Sequence, residues 1–238
     1  MSLPFSIYCA LVVLIKLALL IFILTSPKTL DQYSVGHQML FYSVWILIAQ
    51  MIYFIFEFIA SLVEESETWE RARRYFINLI FTPSILVLTY FLFIVSFNWT
   101  SKYTDDTIMV LVNLGIHGLN ILNLVVVVLY NFPYVGKLHR NYKRIGEFER
   151  SIRAEAHYVL AYVIPVIYWG VVVVYSTTNE TLIYSTNIFS FNKIDGKKSY
   201  AAEVMVLLIY ITFVVQASFT YWCDVRLRNP KFDSQVFL

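Results

Sequence analysis

The stretch "FSIYCALVVLIKLALLIFILT", residues 5–25, is almost wholly apolar, and it decides the class of the protein. At 1.5 Å per residue, a helix of this length crosses a bilayer hydrocarbon core of about 30 Å. The stretch lacks the basic n-region of a signal peptide, its apolar run is too long, and no small-residue cleavage site follows it. We therefore expect a retained first transmembrane helix.

Five further stretches are similarly long and apolar. Together they predict an all-α polytopic membrane protein, a bundle of six transmembrane helices in one domain that spans residues 1–238. The predicted spans are 5–25, 39–63, 75–97, 107–130, 157–176 and 201–223. The composition agrees, because 59% of the residues are hydrophobic, whereas soluble domains are about half apolar.

Composition also argues against several kinds of partner and cofactor. The basic residues lie in loops without aromatic interleaving, so nucleic-acid binding is not expected. Cys9 and Cys223 have no metal-ligand spacing. His117 and His157 should lie about 20 Å apart along the membrane normal, too far apart to share a haem. We predict no metal and no cofactor.

Orientation follows from the basic residues, which are retained on the cytosolic side. They are concentrated in segments 64–75 and 131–156 and in the C-terminal tail, which predicts cytosolic termini. The sequons at Asn98 and Asn179 fall in loops on the opposite, lumenal side, and Asn179 is the better candidate for glycosylation. We expect an integral protein of the endoplasmic reticulum or the plasma membrane.

Polar residues recur at helical spacing inside two of the predicted spans. Ser43, Gln50 and Glu57 are seven residues apart in the second span, which places them on one side of a helix. Asn113, His117 and Asn120 form a second stripe in the fourth span, and Asn123 continues it. Such residues either hydrogen-bond between helices or form a site. A serine and a histidine that meet across the bundle could act as nucleophile and base.

Lys16 lies near the middle of the first span, too deep to reach the interface easily. It could pair with Glu57, or with the carboxylate of a lipid substrate.

Three segments, in this order, resemble the androgen-induced gene and androgen-dependent TFPI-regulating protein family of multi-pass membrane hydrolases. They are "MLFYSVWILIAQMIYF" (39–54), "RYFINLIFTPSILV" (74–87) and "DDTIMVLVNLGIHGLN" (105–120). The resemblance implies hydrolysis of lipid esters, specifically fatty acid esters of hydroxy fatty acids, within the bilayer.

The resemblance also assigns roles to two residues. The family's catalytic threonine matches Ser43, which keeps the hydroxyl, and its catalytic histidine matches His117. Leu114 stands where the family motif has its first histidine. No carboxylate in a span is well placed to orient His117, so Asn113 or Asn120 is the candidate for orientation or for stabilising the oxyanion.

The predicted dyad has one geometric difficulty. By the predicted boundaries, Ser43 and His117 differ in depth by about 9 Å at 1.5 Å per residue. A second span that began at Val35 would nearly remove this difference.

Two alternatives stay open. One is a non-catalytic membrane protein, such as a lipid-binding scaffold or a cell-surface protein like the rolling stone group, which has a similar His-Gly-Leu-Asn signature. The other is a small channel or transporter, but the apolar "LVVVVLY" that ends the fourth span argues against a continuous pore.

Overall fold

The computed structural model is helical over most of the residues that it describes. It describes residues 3–27, 34–63, 69, 72, 75–87, 112, 115–126, 147–183 and 190–228. The helices are α1 (Leu3–Thr25), α2 (Val35–Gln38), α3 (Tyr42–Leu62), α4 (Tyr75–Val87), α5 (Gly115–Val126), α6 (Glu147–Asn179) and α7 (Ala201–Arg228). These residues contain no β-strand, only an isolated bridge between Ile194 and Lys197. The predicted all-α class is confirmed.

Four of the described helices are long and apolar enough to cross a membrane. The candidate spans are Pro4–Thr25, Tyr42–Leu62, Tyr158–Asn179 and Ala201–Phe219. The predicted third and fourth spans lie partly outside the described residues, and their described parts are the shorter apolar helices α4 and α5. The bundle of six spans therefore stays a prediction for these two segments.

The second span starts at Tyr42, and the suggested extension to Val35 is wrong. Phe41 is extended, with φ −78° and ψ 131°, and it separates α3 from the short helix α2. The break frees backbone carbonyls, which are costly to bury without partners. The Trp45 indole donates to the Met39 carbonyl at 2.7 Å, and the Tyr168 hydroxyl donates to the Leu40 carbonyl at 2.8 Å.

The fifth predicted span is part of a longer helix. The segment of residues 147–156, which lies between the fourth and fifth predicted spans, forms the first turns of α6 and continues directly into the fifth span. Its spacing of opposite charges, such as Glu149 and Arg153 four residues apart, favours an uninterrupted helix. Pro165 lies inside α6 without ending it.

Contacts between side chains give the direction of each helix. Lys16 on α1 bonds Gln50 on α3, and Tyr8 packs against Phe54, so these two helices are antiparallel. Val44 and Leu47 of α3 share an apolar cluster with Val112 and with Ile116 of α5. Further along, Gln50 bonds the Asn120 backbone. Helices α3 and α5 are therefore parallel, with residues 50 and 120 level.

The last two helices are also antiparallel. The Tyr162 hydroxyl donates to the Ile209 carbonyl at 3.0 Å, and the rings of Tyr158 and Phe213 stack. A buried cluster joins this pair to α3 and α4; its members include Tyr42, Ile46, Leu86, Tyr168, Val172 and Leu208. We call the end of the bundle that contains Tyr42 and Thr25 the Ser43 end, and the opposite end of α3 the Glu57 end.

Two glycines on α5 give a matched test of the packing of α1 against α5. A Cβ at Gly115 would lie 3.2 Å from both methyl groups of Leu19, whereas a Cβ at Gly118 would meet nothing within 4 Å. Valine has the same helix propensity at both positions, so the difference reports packing alone. We expect Gly115→Val to be less stable than Gly118→Val by about 1–3 kcal/mol, the usual cost of overpacking. Thermal unfolding in detergent, followed by size-exclusion chromatography, measures the difference, and equal midpoints would contradict the packing.

Candidate functional site

The centre of the bundle contains a buried lysine. Lys16, which is 2% exposed, donates to the side-chain oxygens of Gln50 at 2.6 Å and Asn120 at 2.5 Å. Its ammonium also lies 6.0 Å from the centre of the Phe54 ring. Both hydrogen-bond acceptors are neutral amides. The expected ion pair between Lys16 and Glu57 is not formed in the part of the chain that the structure describes.

The two amides that hold Lys16 are bonded further. The Gln50 amino group donates to the Ser84 hydroxyl at 2.6 Å and to the Asn120 carbonyl at 3.2 Å. The Asn120 amino group donates to the Ile116 carbonyl, and Ser84 donates to the Ile80 carbonyl. We call Lys16, Gln50, Asn120 and Ser84 the lysine network. It connects α1, α3, α5 and α4.

Polar side chains continue from the lysine network towards the Glu57 end. The Tyr8 hydroxyl donates to the Asn123 side chain at 2.8 Å. The Tyr53 hydroxyl donates to Glu57, which is fully buried, also at 2.8 Å. The polar faces of α3 and α5 predicted from spacing therefore lie in the interior for Gln50, Glu57, Asn120 and Asn123.

A second buried network lies on another side of α4. The Thr82 hydroxyl donates to the Gln216 side chain, whose amino group donates to Asn78, both at 2.8 Å. The pairing of these side chains was not predicted from the sequence. Its signal was present, since Asn78 and Thr82 are four residues apart on α4, as are Thr212 and Gln216 on α7.

Ser43 is the second residue of α3 and is half-buried. The first-turn N–H groups of an α-helix have no acceptor within the helix. Phe41 accepts from the N–H groups of Val44 and Trp45, and among the described residues no side-chain hydrogen bond of Ser43 is found. The Ser43 hydroxyl therefore lies beside the first-turn N–H groups of α3, at the positive end of the helix dipole.

His117 is half-buried on α5, one turn before Asn120. Because residues 50 and 120 are level on parallel helices, Ser43 lies seven residues before that level on α3, and His117 lies three residues before it on α5. His117 lies four residues further along, or about 6 Å at 1.5 Å per residue. This separation is smaller than the 9 Å expected from the predicted boundaries. No hydrogen bond between Ser43 and His117 occurs in the described structure, so the dyad stays a prediction.

The remaining predicted site residues are placed as follows. The Asn120 side chain bonds Lys16 and the backbone, and Asn113 and Asn98 lie outside the described residues. Asn179 is exposed at the end of α6, as glycosylation requires, and its side chain bonds the Tyr175 carbonyl at 2.9 Å. Among the described residues, no group of three His, Cys, Asp or Glu side chains is arranged to hold a metal ion.

The lysine network gives a direct test of its contribution to stability. Lys16→Met keeps an unbranched side chain of nearly the same length but leaves two buried amide oxygens without their donor. Each such loss costs about 1–3 kcal/mol. Ile15→Met is the control, because Ile15 is the neighbouring residue and is 49% exposed. We expect a large loss of thermal stability in detergent only for Lys16→Met, and equal midpoints for the two variants would show that the network does not stabilise the bundle.

The chain was compared with family models, with curated proteins and with solved structures, and none of these matches it. The function therefore has to be inferred from the geometry of Ser43, His117 and the lysine network.

Proposed function

We propose that this chain is an intramembrane hydrolase of lipid esters, in which Ser43 is the nucleophile and His117 is the general base. The substrate class is fatty acid esters of hydroxy fatty acids, as the resemblance implies. The proposal includes a six-span bundle with both termini in the cytosol, in the endoplasmic reticulum or the plasma membrane. On this topology, the Ser43 end faces the lumen or the cell exterior.

The observation that carries the proposal is the position of Ser43 in the first turn of α3. A serine hydroxyl needs a base to take its proton, and the tetrahedral intermediate needs donors for its oxyanion. The Ser43 backbone N–H is such a donor, and the positive end of the α3 dipole favours the same negative charge. The Ser43 N–H takes the place of the Asn120 side chain as the oxyanion donor. The Asn120 side chain is already bonded to Lys16 and to the Ile116 carbonyl.

The chemistry then proceeds in two steps. The Ser43 hydroxyl attacks the ester carbonyl while His117 accepts its proton, and His117 returns this proton to the leaving hydroxyl group of the hydroxy fatty acid. Water then attacks the acyl-serine with His117 again as base, which releases the fatty acid and restores Ser43.

The approach of His117 to Ser43 requires a modest adjustment. Helical side chains point towards the N-terminus of their helix, so the ring of His117 is directed towards the level at which Ser43 lies. The orientation of the ring reduces the axial separation between His117 and Ser43, which is four residues or about 6 Å. A hydrogen bond between base and nucleophile often forms only when substrate is bound.

Lys16 has a positioning role in this proposal. It holds Gln50 and Asn120 together and so fixes the relative height of α3 and α5, on which Ser43 and His117 lie. The carboxylate of a lipid substrate, the other partner predicted for Lys16, would have to use its third N–H or displace an amide oxygen.

The second candidate is a non-catalytic lipid-binding scaffold. It is favoured by the internal pairing of the lysine network, in which the protein's own side chains bind one another. A scaffold needs neither a reactive serine nor a base.

The test is covalent labelling of purified protein by a fluorophosphonate, together with release of fatty acid from a panel of lipid esters. We expect Ser43→Ala to abolish both signals and His117→Ala to lower the rate by about 10²–10⁴-fold, the usual contribution of a general base. Ser61→Ala is the matched control, because Ser61 lies on the same helix and its hydroxyl bonds the Phe58 carbonyl. Equal labelling and release by Ser43→Ala and the wild type would exclude Ser43 as the nucleophile.

A further inference from the structure

The segment before α7, residues 190–200, contains a tight turn that is defined by its own backbone. Asp195 and Gly196 have positive φ angles of 50° and 71°, as in the two-residue turns that connect hairpins. The Lys197 N–H donates to the Ile194 carbonyl at 2.9 Å and closes the turn. We call residues 190–200 the basic turn.

The basic turn is fixed to the bundle on one side. Ile194 is 4% exposed and Ser190 is fully buried. The Ser190 hydroxyl accepts from the Asn192 N–H at 3.1 Å, and the Ser199 hydroxyl donates to the Ser190 carbonyl. Because the inner side of the turn is anchored, its other side chains are directed outwards.

The outward side carries concentrated positive charge. Lys193, Lys197 and Lys198 are all exposed within six residues, with Asp195 the one acidic residue among them. The Lys198 ammonium lies 5.5 Å from the centre of the Tyr200 ring. The charge of this turn therefore attracts anions.

The basic turn also lies at the Ser43 end of the bundle, because Tyr168 of α6 bonds the Leu40 carbonyl and packs against Tyr42, the first residue of α3. The pairing of Tyr162 with Ile209 and of Tyr158 with Phe213 places the start of α7 level with position 170 of α6. Helix α6 ends at Asn179, so it continues about 13 Å past that level at 1.5 Å per residue. Phe191 of the turn contacts Trp169 of α6, one residue from that level.

Two exposed rings accompany the lysines. Phe191 is 55% exposed and packs edge-on against Trp169 of α6, and Tyr200 is 42% exposed directly before α7. Aromatic side chains at the ends of spans lie at the boundary between headgroups and hydrocarbon. Lysine ammonium groups at the same depth extend to the phosphates.

We propose that the basic turn binds the phosphate groups of anionic phospholipids in the leaflet that it faces. Lys193, Lys197 and Lys198 contact the phosphates, and Phe191 and Tyr200 pack against the acyl chains just below them. An acidic protein segment in the aqueous phase would contact the lysines alone, whereas a phospholipid contacts the lysines with its phosphate and the exposed rings with its acyl chains. The proposal is independent of the hydrolase reaction.

The experiment places a photoreactive probe beside the lysines. Full-length protein with p-benzoylphenylalanine at Phe191 is reconstituted in nanodiscs of phosphatidylcholine with a minority of phosphatidylglycerol, then irradiated, and the lipid adducts are identified by mass spectrometry. The same probe at Leu14, which is 61% exposed in the middle of α1, reports the bulk lipid ratio.

We expect phosphatidylglycerol to be enriched about fivefold or more over bulk at position 191, the ratio that one effective lysine contact produces. The variant Lys193→Gln, Lys197→Gln, Lys198→Gln should return this ratio to bulk and leave the ratio at position 14 unchanged. Asp195→Asn, which removes the opposing charge, should raise the enrichment. A bulk ratio at position 191, an enrichment that survives the triple substitution, or the absence of lipid adducts there would each overturn the proposal.

Discussion

The arrangement of this bundle depends on two hydrogen bonds, which the Lys16 ammonium donates to the side-chain oxygens of Gln50 and Asn120. A lysine in the hydrocarbon region is costly unless oxygen atoms replace the water around its ammonium. Gln50 and Asn120 supply these oxygens from two other helices. Any shift of α3 against α5 would break at least one of these bonds. The polar group that is most expensive to bury therefore determines the register of the apolar helices around it.

The lysine network also explains why small and amide residues occur within α4 and α5. The side chain of Leu19 packs directly against Gly115, so α5 approaches α1 closely enough for Asn120 to reach Lys16. Ser84 fills the remaining position by accepting from Gln50 and donating to its own helix. Apolar packing and hydrogen bonding thus require the same spacing between helices.

Much of this architecture could be predicted from the sequence, because apolar length and heptad spacing are local properties. Helices α1, α3 and α7 begin within three residues of their predicted spans, and Gln50, Glu57 and Asn120 lie in the interior as their spacing indicates. The break at residues 39–41 could not be predicted, because these residues are apolar and include neither glycine nor proline. It depends on hydrogen bonds from Trp45 and from Tyr168, which is more than a hundred residues away in the chain. The partner of Lys16 was also missed, since expectation favoured a carboxylate and the structure uses two amides.

The break between α2 and α3 has a consequence for how the chain tolerates change in length. An α-helix turns by about 100° per residue, so one inserted residue between Ser43 and Gln50 would rotate Ser43 away from the side of α3 that Lys16 holds. An inserted residue between Val35 and Met39 would fall within α2, before the extended residue Phe41 that separates α2 from α3, so α3 would keep its orientation. Length variation before position 41 is thus mechanically isolated from the direction in which Ser43 points, and the spacing of seven from Ser43 to Gln50 must be kept.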